Sequence, residues 1–347
     1  MAAGISGLAY ALPKGVLDHA DLQERFGCEE MDRLIKTTGI KSRRVASDTE
    51  CASDLALKAA EELLKESDVD PKSIDFLIFA TQMPDYLMPT TACILQDKLG
   101  IPTTAGALDV NLGCSQYVYS QSLAFALVTS QLAKRVLVLT GDTPSRIANP
   151  LDRAVVPLFG DAGTAAIVEE VGEGVGFQSF YYGSDGKEHE ALIWPSSGMR
   201  LKKTSATATE IEDKHGAVRS ADDMYMDGQK IFLFTMKTVP KTLRAFLERE
   251  GLEVDDIDFF VFHQASGLIV DTIVKKLKIP PEKVNHVYQE RGNSGGSTVG
   301  IALHHALKDG RIRPGSKVVL SAFGVGLSWA HSMMIWPERN VASYAIE

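Results

Sequence analysis

The sequence predicts an α/β protein, an αβαβα sandwich assembled from two related halves, and three observations carry that prediction. Segments with strand and helix periodicity alternate along the chain, which favours sheets covered by helices on both faces. Their order is written twice, with similar words at matching points. At 347 residues the chain is long enough to bury two fused cores.

In the first half, residues 55–64 carry apolar side chains at helical spacing. A turn at Asp70-Pro71 follows, then Ile74-Asp75-Phe76-Leu77-Ile78-Phe79, short, apolar and aromatic enough for a buried strand. The second half offers a helix over 242–250, a turn at Asp255-Asp256, and Ile257-Asp258-Phe259-Phe260-Val261-Phe262. Both strands open on Ile-Asp-Phe. Each leads to a helix that ends in nearly the same words, Lys98-Leu99-Gly100-Ile101-Pro102 and Lys276-Leu277-Lys278-Ile279-Pro280, with proline as the stop.

Strands over 107–110 and 284–288 come next. The first runs through Asn111-Leu112-Gly113 to Cys114 and a very apolar helix over 117–133; the second runs through Arg291-Gly292 to Asn293 and a small-residue helix over 297–307. Each half then has a strand opened by a basic residue, Arg135-Val136-Leu137-Val138-Leu139 and Lys317-Val318-Val319-Leu320. The chain therefore divides into a first half over 1–170, a connection with short strands over 171–227, and a second half over 228–347. Gly172-Glu173-Gly174-Val175-Gly176 reads as a hairpin, because it leads into Phe177-Gln178-Ser179-Phe180 and not into the helix N-terminus that a dinucleotide loop needs.

Hydrophobic residues make up 45% and charged residues 23%, the balance of an ordered water-soluble body. A net charge of −9 argues against a general nucleic-acid binder. The start, Met1-Ala2-Ala3-Gly4-Ile5, has no basic stretch before an apolar run, so a cytoplasmic protein without membrane insertion is expected. Cys28, Cys51, Cys93 and Cys114 lie far apart, and His304 and His305 are adjacent, so on a helix they point about 100° apart. Reduced thiols and no metal are expected.

A repeat of this kind brings equivalent turns together about a pseudo-twofold axis. The turns that carry Cys114 and Asn293 are equivalent, and His263-Gln264-Ala265 follows the strand ending at Phe262, placed like Ala80-Thr81-Gln82 in the first half. A cysteine opening a helix has N–H groups and the positive helix end beside it, which favour a thiolate. Neutral His and Asn can both donate toward an oxygen that gains charge, as in an enolate or tetrahedral oxyanion. Taken singly, each has an ordinary use: Cys114 as packing, His263 as a satisfied strand end, Asn293 as a turn residue or helix cap. Phe323-Gly324-Val325-Gly326-Leu327 permits close backbone approach, either as packing or as a source of oxyanion N–H groups.

These words together resemble the β-ketoacyl-acyl-carrier-protein synthase III family of condensing enzymes over nearly the whole chain. Thr38-Gly39-Ile40-Lys41 is similar to that family's early segment, and Pro84 through Cys93 to its loop before a helix. Asp109 through Cys114 is similar to the nucleophile elbow, Asp152-Arg153 and Phe159-Gly160-Asp161-Ala162-Gly163 to two central motifs. His263-Gln264-Ala265, Gly292-Asn293, Ala322-Phe323-Gly324 and Ser328-Trp329 complete the set.

The resemblance implies a thiolase-like fold, a homodimer, and a two-step reaction without a cofactor. Cys114 would take the acyl group of an acyl-CoA, and a malonyl thioester, on acyl carrier protein or CoA, would be decarboxylated to attack it. It casts His263 and Asn293 as stabilisers of the enolate, and the N–H groups of Cys114 and Val325 as the oxyanion hole. Arg33, Thr38, Leu87, Met88, Arg153, Gly228, Phe232 and Ala265 would contact substrate. The chain departs from the family at Ser266, where Asn is usual, at Leu233 and Leu268, where docking cations are usual, at Arg33, where an aromatic is usual, and at Val325, where glycine is usual. Fatty-acid synthesis or a specialised lipid or polyketide-type pathway would employ such an enzyme. Alternatives are a non-decarboxylating or acyl-transferring relative, a non-catalytic subunit of a heterodimer, and a cysteine hydrolase.

Overall fold

The computed structural model describes residues 1–337 and the backbone of Ala342–Ile346; the last residues assigned to the second half otherwise lie outside the described part. The first sheet contains β1 (Ala2–Ala11), β2 (Phe76–Ala80), β3 (Gly106–Val110), β4 (Arg135–Asp142) and β5 (Ala162–Val171). The second contains β6 (Gly176–Ser184), β7 (Phe259–Phe262), β8 (Lys317–Gly324) and β9 (Ser328–Ile335). A last strand, β10 (Ala342–Ile346), joins the first sheet beside β1, giving the order β10-β1-β5-β4-β2-β3, while the second sheet runs β6-β9-β8-β7.

The two orders superimpose. β1–β5 and β5–β4 are antiparallel while β4–β2 and β2–β3 are parallel; β6–β9 and β9–β8 are antiparallel while β8–β7 is parallel. The second sheet's counterpart of β3 is reduced to a single parallel bridge, Phe260 to Val284. The strand expected over 284–288 is absent because side chains take its backbone partners. Gln264 Oε1 accepts from Val287 N at 3.0 Å, Gln264 Nε2 donates to Asn285 O at 3.3 Å, and Arg311 donates to Val284 O at 2.8 Å.

Six helices complete five layers. α1 (Ala52–Glu66) and α2 (Thr91–Lys98) cover the outer face of the first sheet through Ala56, Leu63 and Leu95. α3 (Gln116–Thr129) and α6 (Ser297–Lys308) lie between the sheets, where Tyr117, Val118, Val299 and Leu303 pack against Ile78 and Val138 on one side and Val261 and Leu320 on the other. α4 (Gly228–Glu250) and α5 (Gly267–Leu277) cover the outer face of the second sheet. The strong apolar character of α3 follows from its place, since a helix with sheets on two sides has little polar face to keep.

Two expectations change. α4 begins at Gly228, well before residue 242, although Pro240 lies inside it. Asp227 caps it by accepting from Lys230 N at 3.0 Å, and the buried stripe Met236, Val239, Leu243, Phe246 runs unbroken past the proline. The glycine-rich stretch after β5 is no hairpin: β5 pairs in the first sheet and β6 in the second, so the turn carries the chain between layers. Gly176 has φ +83°, and a Cβ there would meet Ala3 O at 2.4 Å, so only glycine fits the crossing. Strand pairing thereby sets Gly176–Ser184, expected in the connection, in the second sheet. Among the described residues no helix is long and apolar enough to cross a membrane.

Candidate active site

Cys114 lies between the end of β3 and the start of α3, buried where the layers meet. The strand is anchored just before it, because Asp109 accepts from Thr91 N and Ala92 N, each at 2.7 Å, at the open end of α2. β8 approaches from the other half. A Cβ at Gly324 would sit 2.6 Å from Cys114 Cβ and 2.7 Å from its Sγ, so the missing side chain is what lets the strand end touch the thiol. The backbone N–H groups of Val325 and of Cys114 itself are directed at the sulfur.

Burial overrides the helix end. The Cys114 thiol is pushed up to about 12, by desolvation first and by the nearby Asp142 second, against the two N–H groups that pull it down. The resting thiol is protonated, not the thiolate that its place before α3 suggested. Asp142 is itself raised to about 7 by burial, although Gln82 N at 3.0 Å, Gln116 Nε2 at 2.7 Å and Thr81 Oγ1 at 3.3 Å all donate to it.

His263 follows β7 and is buried. Its Nδ1 lies 2.7 Å from Thr298 Oγ1 on α6; that hydroxyl accepts from Gln264 N at 3.1 Å and has one proton to give, to Nδ1 or to Gly295 O at 3.0 Å, and giving it to Nδ1 leaves the neutral ring's own proton on Nε2. Desolvation lowers His263 to about 3, so the imidazole is neutral, and Nε2 is the ring nitrogen left for the cavity. Asn293 precedes α6, and its Oδ1 accepts from Gly295 N at 3.1 Å, which turns the Nδ2 donors outward. Asn293 thus closes its own turn, an ordinary use of this residue, and the same bond orients it.

Two cavities meet at the thiol, sharing Cys114, Phe159 and Leu192. One, of about 250 Å³, is lined by His263 and Asn293 and by four of the expected contact residues, Thr38, Gly228, Phe232 and Ala265. The other, of about 260 Å³, is lined by Val325 with Gln82, Trp194 and Met224. The remaining four expected residues stand elsewhere. Arg33 is exposed and paired with Glu29 at 2.8 Å, while its neighbour Leu34 lines the first cavity. Arg153 is held by Phe26 O at 3.1 Å, His215 O at 3.3 Å and Glu30 at 2.9 Å. Leu87 and Met88 are 73% and 86% exposed, and Leu87 lines a neighbouring cleft that also includes Gln82 and Trp194.

Sequence reasoning missed Thr298, Asp142 and Gln82. Gln82 had a signal, since it stands two places after Ala80, the counterpart of His263, but nothing local to Thr298 or Asp142 marks them. Among the departures, Ser266 caps α5 by accepting from Ile269 N at 3.5 Å, and Leu233 and Leu268 are exposed, the latter on the first cavity's rim.

Residues 108–186 match the family model described as 3-oxoacyl-[acyl-carrier-protein (ACP)] synthase III, and residues 247–336 match its C-terminal counterpart. A β-ketoacyl-[acyl-carrier-protein] synthase III of Caldanaerobacter subterraneus subsp. tengcongensis is 36% identical over 337 residues, covering 97% of this chain and 98% of that protein. A solved 3-oxoacyl-(acyl-carrier-protein) synthase III superposes with a TM-score of 0.94 at 39% identity, covering 97% of this chain and 100% of the other. The 3-oxoacyl-(acyl-carrier protein) synthase of Burkholderia xenovorans LB400 superposes with a TM-score of 0.91 at 35% identity, covering 99% and 97%. A likeness this long, in sequence and in the path of both sheets, means that the chain belongs to the β-ketoacyl-acyl-carrier-protein synthase III family of thiolase-fold condensing enzymes.

Proposed function

We propose that Cys114 takes the acyl group of an acyl-CoA and passes it, by decarboxylative Claisen condensation, to a malonyl thioester on acyl carrier protein or CoA, giving a β-ketoacyl thioester. In the first step the Cys114 S–C bond forms, the CoA S–C bond breaks, and the thiol proton ends on the departing CoA sulfur. The N–H groups of Cys114 and Val325 hold the thioester oxygen. In the second, loss of CO₂ leaves an enolate whose oxygen is met by Asn293 Nδ2 and the Nε2 edge of His263, and its carbon attacks the acyl group while Cys114 sulfur leaves. No cofactor is used; the thioesters are substrates.

The observation that carries this reading is the thiol's place between two cavities. One has the imidazole and amide for enolate chemistry, and the other has room for an acyl chain. A pantetheine-like arm would enter by the first cavity, which Thr38 and Phe232 line, with Leu233 and Leu268 exposed in place of docking cations. Its mouth is therefore less suited than a basic one to an acidic carrier, and CoA and carrier extenders need direct comparison. The exposed pair Leu87 and Met88 supports a homodimer that buries them, and four free cysteines suit a cytoplasmic setting.

Short and medium acyl-CoAs are expected to add one acyl mass to the intact protein, with no adduct on Cys114→Ala. Offering the trapped species malonyl-carrier protein or malonyl-CoA should then release CO₂ and product. A broad donor panel that leaves the protein unmodified would overturn the assignment, and product without CO₂ would point to a non-decarboxylating relative.

A further inference from the structure

The cavity beyond Cys114 has two kinds of lining. Ile147, Ile193 and Met224 are apolar and suited to an alkyl tail, whereas Gln82, Asn111 and Asp142 are polar. A Cβ on Gly113, the residue before the nucleophile, would lie 1.8 Å from Val325 Cγ1 and 2.6 Å from Gln82 Oε1, so both side chains rest on the backbone that presents Cys114. Asp142, also on this wall, is occupied: it accepts from Gln82 N at 3.0 Å and from Gln116 Nε2 at 2.7 Å, and so pins the loop that carries Gln82.

The side-chain amide of Gln82 is not occupied. Among the described residues its only hydrogen bond is through the backbone N–H, which leaves the amide's acceptor and two donors unpaired, with Oε1 beside the Gly113 backbone and Gln82 lining both this cavity and the neighbouring cleft. Binding an unbranched alkyl chain here would dehydrate that amide without replacing its bonds, and a site built to bond an oxygen discriminates against a donor that lacks one. Val325, filling space against Gly113, keeps the passage narrow and the acyl carbons close to the amide.

We propose that the preferred acyl donor is oxygenated close to its thioester, bearing a hydroxyl or keto group on the second or third carbon that Gln82 hydrogen-bonds, with an alkyl tail against the apolar lining. This rests on the acyl-transfer reading of Cys114 and adds the donor's chemical class.

The test is the rate of intact-mass acylation by hexanoyl-CoA set against 2-hydroxyhexanoyl-, 3-hydroxyhexanoyl- and 3-oxohexanoyl-CoA. At least one oxygenated donor should be faster than hexanoyl-CoA by roughly ten-fold, and Gln82→Leu and Gln82→Met should each erase or reverse that ratio. If hexanoyl-CoA equals or outpaces every oxygenated donor in the unaltered protein, a result that needs no variant to fold, the donor class is overturned while the nucleophile stands. An oxygen preference that survives both folded variants overturns the role of Gln82. Labelling by none of the four removes this inference, and failure of the wider donor panel with it removes the nucleophile assignment itself.

Discussion

Cys114 and His263 are both ionisable groups whose charged forms are suppressed by the place they occupy. At Cys114 the helix end and two N–H groups act against desolvation and Asp142, and desolvation prevails. At His263 the same cause lowers the imidazole to about 3. An unfolded histidine titrates near 6.5. Between these two values the unfolded chain binds more protons, so His263 contributes stability that is complete above about 6.5 and is lost as pH falls toward 3. The residue-scale prediction is that ¹³C-labelled histidine NMR finds the His263 ring neutral and untitrating from pH 5 to 8. A His263 resonance moving with a midpoint in that interval would contradict it. The residues of the triad were legible because they sit at repeat-equivalent turns, whereas their protonation was not, since it depends on how many atoms surround them after the layers close.

Among elements, the end of β8 has the strictest demand. Gly324→Ala would place a methyl group 2.6 Å from Cys114 Cβ and 2.7 Å from Sγ, well inside van der Waals contact. Overpacking of this kind costs about 1–3 kcal/mol of stability, and displacing a reacting atom by about 1 Å can cost roughly 100-fold in rate. Single-turnover acylation of Gly324→Ala should therefore fall by about that factor while a thermal melt still shows a folded protein; a variant that acylates at the parental rate would show that the close approach is immaterial. Element existence was legible from periodicity at α1, β2, β7 and α6. Three features were not. α4 runs through Pro240 because its buried stripe continues, the strand expected at 284–288 loses its backbone partners to Gln264 and Arg311, and β5 and β6 separate across Gly176 because their partners lie in different sheets. Each was decided by side chains or strands distant in sequence.

For the whole molecule, the repeat is what makes a site at all, since each half brings part of it. The thiol comes from the first half, and the imidazole, the amide and the Val325 N–H come from the second, around the paired helices α3 and α6. The loop with Leu87 and Met88 stands away from this centre and is exposed in the single chain. The molecular-scale prediction is a sedimentation mass of two chains at micromolar concentration, reduced toward one by Met88→Asp. A single-chain mass for the unaltered protein would rule out the dimer. By itself the sequence determined the doubled α/β plan and the family, and it singled out Cys114, His263 and Asn293 as candidates, because periodicity and motif order are local properties written in consecutive residues. Only the tertiary structure decided that the thiol rests protonated, that Arg33, Arg153, Leu87 and Met88 stand apart from the two cavities, and that Thr298, Asp142 and Gln82 surround the centre. Those outcomes depend on distance and dielectric across the seam between the halves, which consecutive residues do not encode.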